Sequence, residues 1–306
     1  MKTSTTKIIL VYLLICLIWG STWLGIRVSL ESIPPLISSG FRFIVASIGI
    51  FVIMKVRGIR LQTDKVAIKL YILMGVFSFI IAYGLVYWAE QYVASGLAAV
   101  LFGIYPFFVA LFSYFLLPDE PIGFYKIIGM ILGFIGIVVI FSESFGSELS
   151  FNVLGMIAVL LSGVIQAAIA VIIKKEGKPL NPLSMNFIPM FIAGIGLTIL
   201  GYIFEDSGKI ILDSKAVISV LYLAIFGSII TFTAFYWLMK KVNVIILSLT
   251  AFITPIVAII LGWIVYNENL TSENIIGSAM VLVGLLIANL QAIINPKSLS
   301  KRITHN

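Results

Sequence analysis

Arg42 is the residue that asks most of its surroundings. It stands in an apolar run, residues 34–53, eight positions past Pro34. On a helix that is roughly 12 Å below the surface where the run enters. A guanidinium in hydrocarbon costs at least ~2.5 kcal/mol and calls for a partner or water. Glu90, at the same-side end of the next run, is the acidic residue closest to a helix interior there. An Arg42–Glu90 pair closing the outer half of a pathway is therefore one expectation. Snorkelling of Arg42 to the headgroups is the other.

The stretch IWGSTWLGIR, residues 18–27, is the second unusual feature. Trp19 and Trp23 lie one helical turn apart and share a face, while Ser21 and Thr22 turn to other sides. The indoles could line a water-accessible cavity, offering flat apolar surface and an N–H to a solute. Alternatively the stretch is a packing seam, with Gly20 admitting a neighbour and the hydroxyls bonded to their own backbone. Tyr83, Tyr105, Thr231 and Thr250 add hydroxyls to other apolar runs, and Gln166 and Asn186 add amides. These suit either solute binding or cross-helix hydrogen bonds. Pro106 and Pro255 interrupt their helices, as gating elements or as plain kinks.

Bond-making chemistry finds no support. The chain carries no HExxH, no Walker A loop, no nucleophile elbow and no close intramembrane carboxylate or histidine pair. The single cysteine, Cys16, hints at neither a disulfide nor a metal cluster. The reading is a protein that is not an enzyme and calls for no cofactor.

The elements that must position these residues are membrane spans. Of 306 residues, 61% are hydrophobic and 11% charged, against about 25% charged in a soluble domain. Ten runs can cross a bilayer, near 8–28, 34–53, 69–89, 93–116, 122–141, 152–173, 182–203, 216–238, 243–266 and 273–293. The first is read as a retained span rather than a cleaved leader, since no small-x-small site follows it. With the N-terminus inside, sixteen basic residues fall on the cytoplasmic side and three (Arg27, Lys209, Lys215) on the other. Both termini are thus expected in the cytoplasm, and the +7 net charge marks loops facing it rather than nucleic-acid contacts.

The chain also repeats itself. At an offset of 149, Phe77, Ile80, Ile81, Tyr87, Trp88, Val93 and Pro106 meet Phe226, Ile229, Ile230, Tyr236, Trp237, Val242 and Pro255. At 147, Pro35-Leu36, Ala46 and Ile48-Gly49 meet Pro182-Leu183, Ala193 and Ile195-Gly196; at 148, Glu120, Gly129 and Gly136 meet Glu268, Gly277 and Gly284. Residues 1–145 and 150–295 read as two copies of one five-helix unit, followed by a basic tail, 296–306. Five being odd, the copies lie upside down relative to each other. The fold class expected is an all-α membrane protein of ten transmembrane helices in two inverted five-helix repeats. Inverted repeats place a substrate site near the midplane, between the halves. Glu120 and Glu268 are expected to cap the helices that follow them.

WGSTW at 19–23, FRFIVAS at 41–47, Pro106…Glu120 with its copy Pro255…Glu268, and the glycines of spans 5 and 10 resemble the EamA family of the drug/metabolite transporter superfamily. The resemblance covers nearly the whole chain. It implies a multi-pass protein of the cytoplasmic membrane that exports or exchanges small metabolites, often amino acids or related compounds. On that reading the substrate pathway draws on Trp19, Trp23, Arg42, Tyr83, Tyr105, Gln166, Thr231 and Thr250, and the gates on Arg42, Glu90, Pro106 and Pro255. The partners are a small-molecule substrate and the lipid bilayer, with proton coupling at Glu90 and facilitated export both open. Two alternatives stand beside it. One is a nucleotide-sugar-type exchanger, which would want more basic residues in the pathway than Arg42; the other is a receptor or scaffold that transports nothing.

Overall fold

The computed structural model describes residues 5–117, 123–142, 150–177, 180–242, 247 and 250–294. Glu120, the tail 296–306 and most of 243–249 lie outside these. The described residues form ten helical spans: α1 (Thr5–Leu30), α2 (Pro35–Val56), α3 (Lys65–Ala89), α4 (Ser95–Leu116), α5 (Phe124–Ser142), α6 (Phe151–Glu176), α7 (Ser184–Phe204), α8 (Ser214–Met239), α9 (Thr250–Tyr266) and α10 (Ser272–Ile294). Eight are long and apolar enough to cross a membrane; α9 and α10 are apolar but shorter over the residues searched. Helices are the natural answer here, because each satisfies its own backbone where no water can.

The two copies share local detail. Asp64 accepts from the Val66 and Ala67 N–H groups and opens α3; Asp213, 149 residues on, accepts from Ala216 and opens α8. Bonding from Ala216 holds the Asp213 carboxyl below its ordinary range. Both helices then carry a π-helical stretch, Met74–Ala82 in α3 and Ile225–Ile230 in α8. Such stretches release carbonyls from the regular ladder and recur at functional sites.

Packing follows the same internal symmetry. α3 lies against α6 and α7, as α8 lies against α1 and α2; α4 packs on α6, as α9 packs on α1. The two outermost contacts are built on glycine. In the α5–α10 seam, a Cβ on Gly129 would stand 2.3 Å from the Gly284 carbonyl oxygen, and one on Gly136 2.6 Å from that of Gly277. In the α2–α7 seam, Gly40 faces Thr198 and Gly194 faces Ile44 at similarly short range. Small residues let backbones approach where dispersion, rather than expulsion of water, must hold helices together.

Glu268 departs from expectation. It does not cap α10, the helix that follows it. Its carboxylate accepts from the Ser95 and Gly96 N–H groups, at 3.0 and 3.2 Å, and from the Ser95 hydroxyl, at 3.0 Å. It therefore caps α4, in the other repeat. Asn267, at φ 50°, turns the chain so that Glu268 points back across the bundle. Glu205 does the same for α2, accepting from the Leu36 and Ile37 N–H groups. In both cases a carboxylate meets the positive end of a helix dipole.

Candidate functional site

A cavity of about 110 Å³ lies between the repeats. Its walls come from α1 (Trp19, Thr22, Trp23, Ile26), α3 (Ser78, Tyr83, Val86) and α4 (Phe102, Tyr105). The matching helices of the second copy complete it: α6 (Ser162, Gln166, Ala170, Ile173), α8 (Phe232, Phe235, Tyr236) and α9 (Thr250, Ala251, Thr254). Trp19 and Gln166 are equivalents at offset 147, and Tyr83 and Phe232 at 149. The cavity thus straddles the internal two-fold, and among the described residues the outer pairs α2–α7 and α5–α10 contribute no side chain to its wall.

Aromatic rings set its shape. The Trp19 indole packs against Phe232 and Phe235 at 5.3 and 5.1 Å between centroids, and Trp23 meets the edge of Phe102 at 5.7 Å. Phe102 in turn stacks on Tyr105. Two polar atoms of the wall, Trp19 Nε1 and Ser162 Oγ, are buried without a hydrogen-bond partner. An unmet donor in such a place costs about 1–3 kcal/mol. Gln166 donates one amide N–H to the Ser78 carbonyl at 3.3 Å. Among the described residues, no carboxylate, lysine or arginine lines the cavity.

The WGSTW stretch lies both at the cavity and in a helix seam. Its indoles line the cavity, while a Cβ on Gly20 would come within 2.5 Å of Val257 in α9. Thr22 donates its hydroxyl to the Trp19 carbonyl at 2.7 Å, and Ser21 to that of Ile18 at 2.8 Å. In a variant lacking Cys16, cysteines at positions 19 and 23 should react with a small water-soluble thiol reagent, and bound solute should slow them. A cysteine at Leu17, 57% exposed on the outer surface of α1, should stay unlabelled, since hydrocarbon disfavours the reactive thiolate. Equal rates at 17 and 19 would remove the indoles from the solute path.

Arg42 stands just behind the wall and is 1% exposed. Its Nε donates to Ser228 Oγ at 2.9 Å, and its Nη atoms to the Gly227 carbonyl at 3.1 Å and the Tyr87 hydroxyl at 3.3 Å. The guanidinium carbon lies 5.1 Å from the Tyr83 ring centroid and 5.3 Å from that of Phe43, inside cation–π range. Gly227 and Ser228 both lie in the π-helical stretch of α8. One basic side chain thereby ties α2 to α3 and to α8 across the repeats. The equivalent position in α7 is Pro189, which has nothing to donate.

The expected Arg42–Glu90 ion pair is not formed. Arg42 is turned toward α8, and neutral oxygens of Ser228 and Gly227 there and of Tyr87 in α3 satisfy it. Glu90 is fully buried, both its carboxyl oxygens lack partners, and its backbone carbonyl accepts from Arg27. The ion pairs among the described residues are Lys69–Glu176 and Lys215–Glu31, both partly exposed.

The remaining sequence candidates divide. Tyr105, Gln166 and Thr250 line the cavity with Trp19, Trp23 and Tyr83. Thr231 does not: it is fully buried and donates to the Gly227 carbonyl at 2.8 Å, bracing the acceptor that Arg42 uses. Asn186 bonds the Pro182 carbonyl, away from the cavity. Pro106 opens the second half of α4, just after a break at Gly103-Ile104, and Pro255 lies within α9; both are buried. Ser162, Phe235 and Tyr236 were missed. Offset 149 from Tyr87 marks Tyr236, but Ser162 carries no signal in an apolar run.

Comparison with known proteins agrees with this architecture. The sequence pattern of the EamA-like transporter family matches residues 6–142 and 153–290. Over 281 residues the chain is 26% identical to an uncharacterized transporter, YoaV, of Bacillus subtilis (strain 168), covering 92% of this chain and 96% of that one. It is 29% identical over 276 residues to an uncharacterized inner membrane transporter, YedA, of Escherichia coli (strain K12), covering 90% and 88%. A crystal structure with 18% sequence identity superposes with a TM-score of 0.72 over 94% of this chain and 99% of the other, which shows the shared fold.

Proposed function

From the premise that the chain belongs to the EamA-like transporter family, we propose that it exports a small solute through the cavity between its repeats by alternating access. The chain is a multi-pass membrane transporter and not an enzyme. The observation that carries the mechanism is the symmetry of the cavity wall: α1, α3 and α4 on one side face α6, α8 and α9 on the other. Rocking of one set against the other would open the same wall first to one face of the membrane and then to the opposite one.

The lining selects the solute class. Rings from Trp19, Trp23, Phe102 and Phe232 suit a flat apolar body, and the unmet donor of Trp19 with the Ser162 hydroxyl suits one or two polar atoms. The proposed substrates are aromatic or apolar amino acids and compounds related to them. A nucleotide sugar fits poorly, because the described wall holds no cation and the guanidinium of Arg42 is already engaged by three oxygens. Sixteen basic residues on one side support an orientation with both termini in the cytoplasm of the cell membrane.

A ligand-stability screen on the purified chain tests the substrate class, since a ligand that binds the native state raises its melting temperature. Aromatic amino acids at 100 times their Kd should stabilise by about 2.7 kcal/mol, and Trp19→Ala should remove most of that shift. A matching efflux assay should show accumulation of the same solute in cells lacking the transporter. Stabilisation by nucleotide sugars alone would reverse the assignment.

A further inference from the structure

We infer that the chain holds one anionic phospholipid in a second cavity, at the membrane face opposite Glu90. This cavity, about 440 Å³, lies between α1, α2, α8 and the entry to α7. Its wall is largely apolar, with Val11, Ile53, Ile59, Ile229 and Ile230, and two cations stand at it, Lys7 and Arg57. Lys7 and Arg57 are both exposed at the cavity mouth, and Lys7 Nζ lies 5.8 Å from the Trp237 ring centroid, which holds the ammonium beside the opening.

Charge complementarity decides the occupant. Among the described residues neither Lys7 nor Arg57 forms an ion pair. The acidic side chains described at that face are committed elsewhere: Asp64 caps α3, and Glu176 holds Lys69 at 2.8 Å. Two cations above an apolar slot want an anion that carries its own hydrocarbon. A phosphodiester at Lys7 and Arg57, with an acyl chain along Ile53, Ile229 and Ile230, meets both demands. Soluble phosphate would satisfy the cations and leave the slot unfilled. Basic cavities between transmembrane helices are a recurrent way of holding acidic headgroups.

The repeat supplies a second line of argument. At offset 147 the equivalents of Lys7 and Arg57 are Leu154 and Phe204. Trp88, the equivalent of Trp237, packs edge-on against Tyr92 rather than under a cation. The repeated scaffold therefore does not impose the cation pair; it belongs to one face alone.

The test uses the purified full chain in a neutral detergent. Dioleoyl phosphatidylglycerol should raise the melting temperature by roughly 3–6 °C near saturation. Dioleoyl phosphatidylcholine and inorganic phosphate should raise it by about 1 °C or less on the same scale. The Lys7→Gln/Arg57→Gln double variant should lose most of the phosphatidylglycerol shift, whereas Arg60→Gln should keep it. An equal shift in wild type and double variant, or a phosphatidylcholine shift matching phosphatidylglycerol, overturns the assignment. A phosphate shift of the same size moves the site to a soluble anion and overturns it too. Wild-type protein exposed to a photoreactive phosphatidylglycerol gives a readout independent of the variants' folding. Labels should fall within residues 53–59 or 229–237, and labels confined elsewhere would sink the proposal.

Discussion

Arg42→Ala is expected to abolish transport while leaving the chain in the membrane. Insertion depends on the apolar length of α2, which the substitution does not shorten. What is lost is the link between α2, the Tyr87 hydroxyl of α3 and the π-helical stretch of α8. Hydrogen bonds to a charged group contribute ~1.5–3 kcal/mol each, and their neutral partners are left buried and unmet. The folded state should therefore lose a few kcal/mol, on the order of the cost of breaking a buried charged network. Arg42→Lys restores charge but not the fork that reaches three oxygens on two helices, so it should recover only a minor part of the rate. A double-mutant cycle locates the coupling. Arg42→Ala with Tyr87→Phe should fall well short of the summed single losses, because both act on one network. Arg42→Ala with Glu90→Gln should show a clearly smaller coupling, since the guanidinium bonds no atom of Glu90. The reverse pattern would restore the ion pair and show that another conformation carries the function.

Gly129→Val should prevent recovery of a folded protein. Its Cβ would stand 2.3 Å from the Gly284 carbonyl oxygen and 2.5 Å from the Ala288 amide nitrogen. Both are backbone atoms of α10, so no side-chain rotation relieves the clash. α5 and α10 would have to separate along a seam that Gly133, Gly136, Gly277 and Gly284 also build. In a bilayer that separation forfeits the dispersion contacts holding the pair, and overpacking alone costs 1–3 kcal/mol or more. Thermal unfolding in detergent should show a fall of more than roughly 10 °C, or no cooperative transition. Gly58→Ala is the control: its φ of 62° is strained for alanine, yet nothing lies within 4 Å. It should cost about 1 kcal/mol. A Gly129→Val protein that melts like wild type would mean the helices do not meet as described.

Much of this molecule was legible in its sequence, for reasons that act locally. Water is absent from the bilayer core, so each apolar run must close its own backbone hydrogen bonds as a helix. Run length and charge placement then give the spans. A near-constant offset of 147–149 residues gives the inverted repeat, whereas the matching caps at Asp64 and Asp213 emerge from the structure. The 3.6-residue period puts Trp19 and Trp23 on one face. Where that face points was not legible, because a membrane helix is apolar all round and hydrophobicity no longer separates inside from outside. The partners of Arg42 lay beyond reach for a second reason. Ser228 is 186 positions away, and only the packing of α2 against α8 brings its hydroxyl within reach of the guanidinium. Glu268 likewise caps a helix of the other copy, 173 residues distant. Run by run, sequence determined what each element must be; tertiary packing alone decided which polar group of one repeat would satisfy which group of the other.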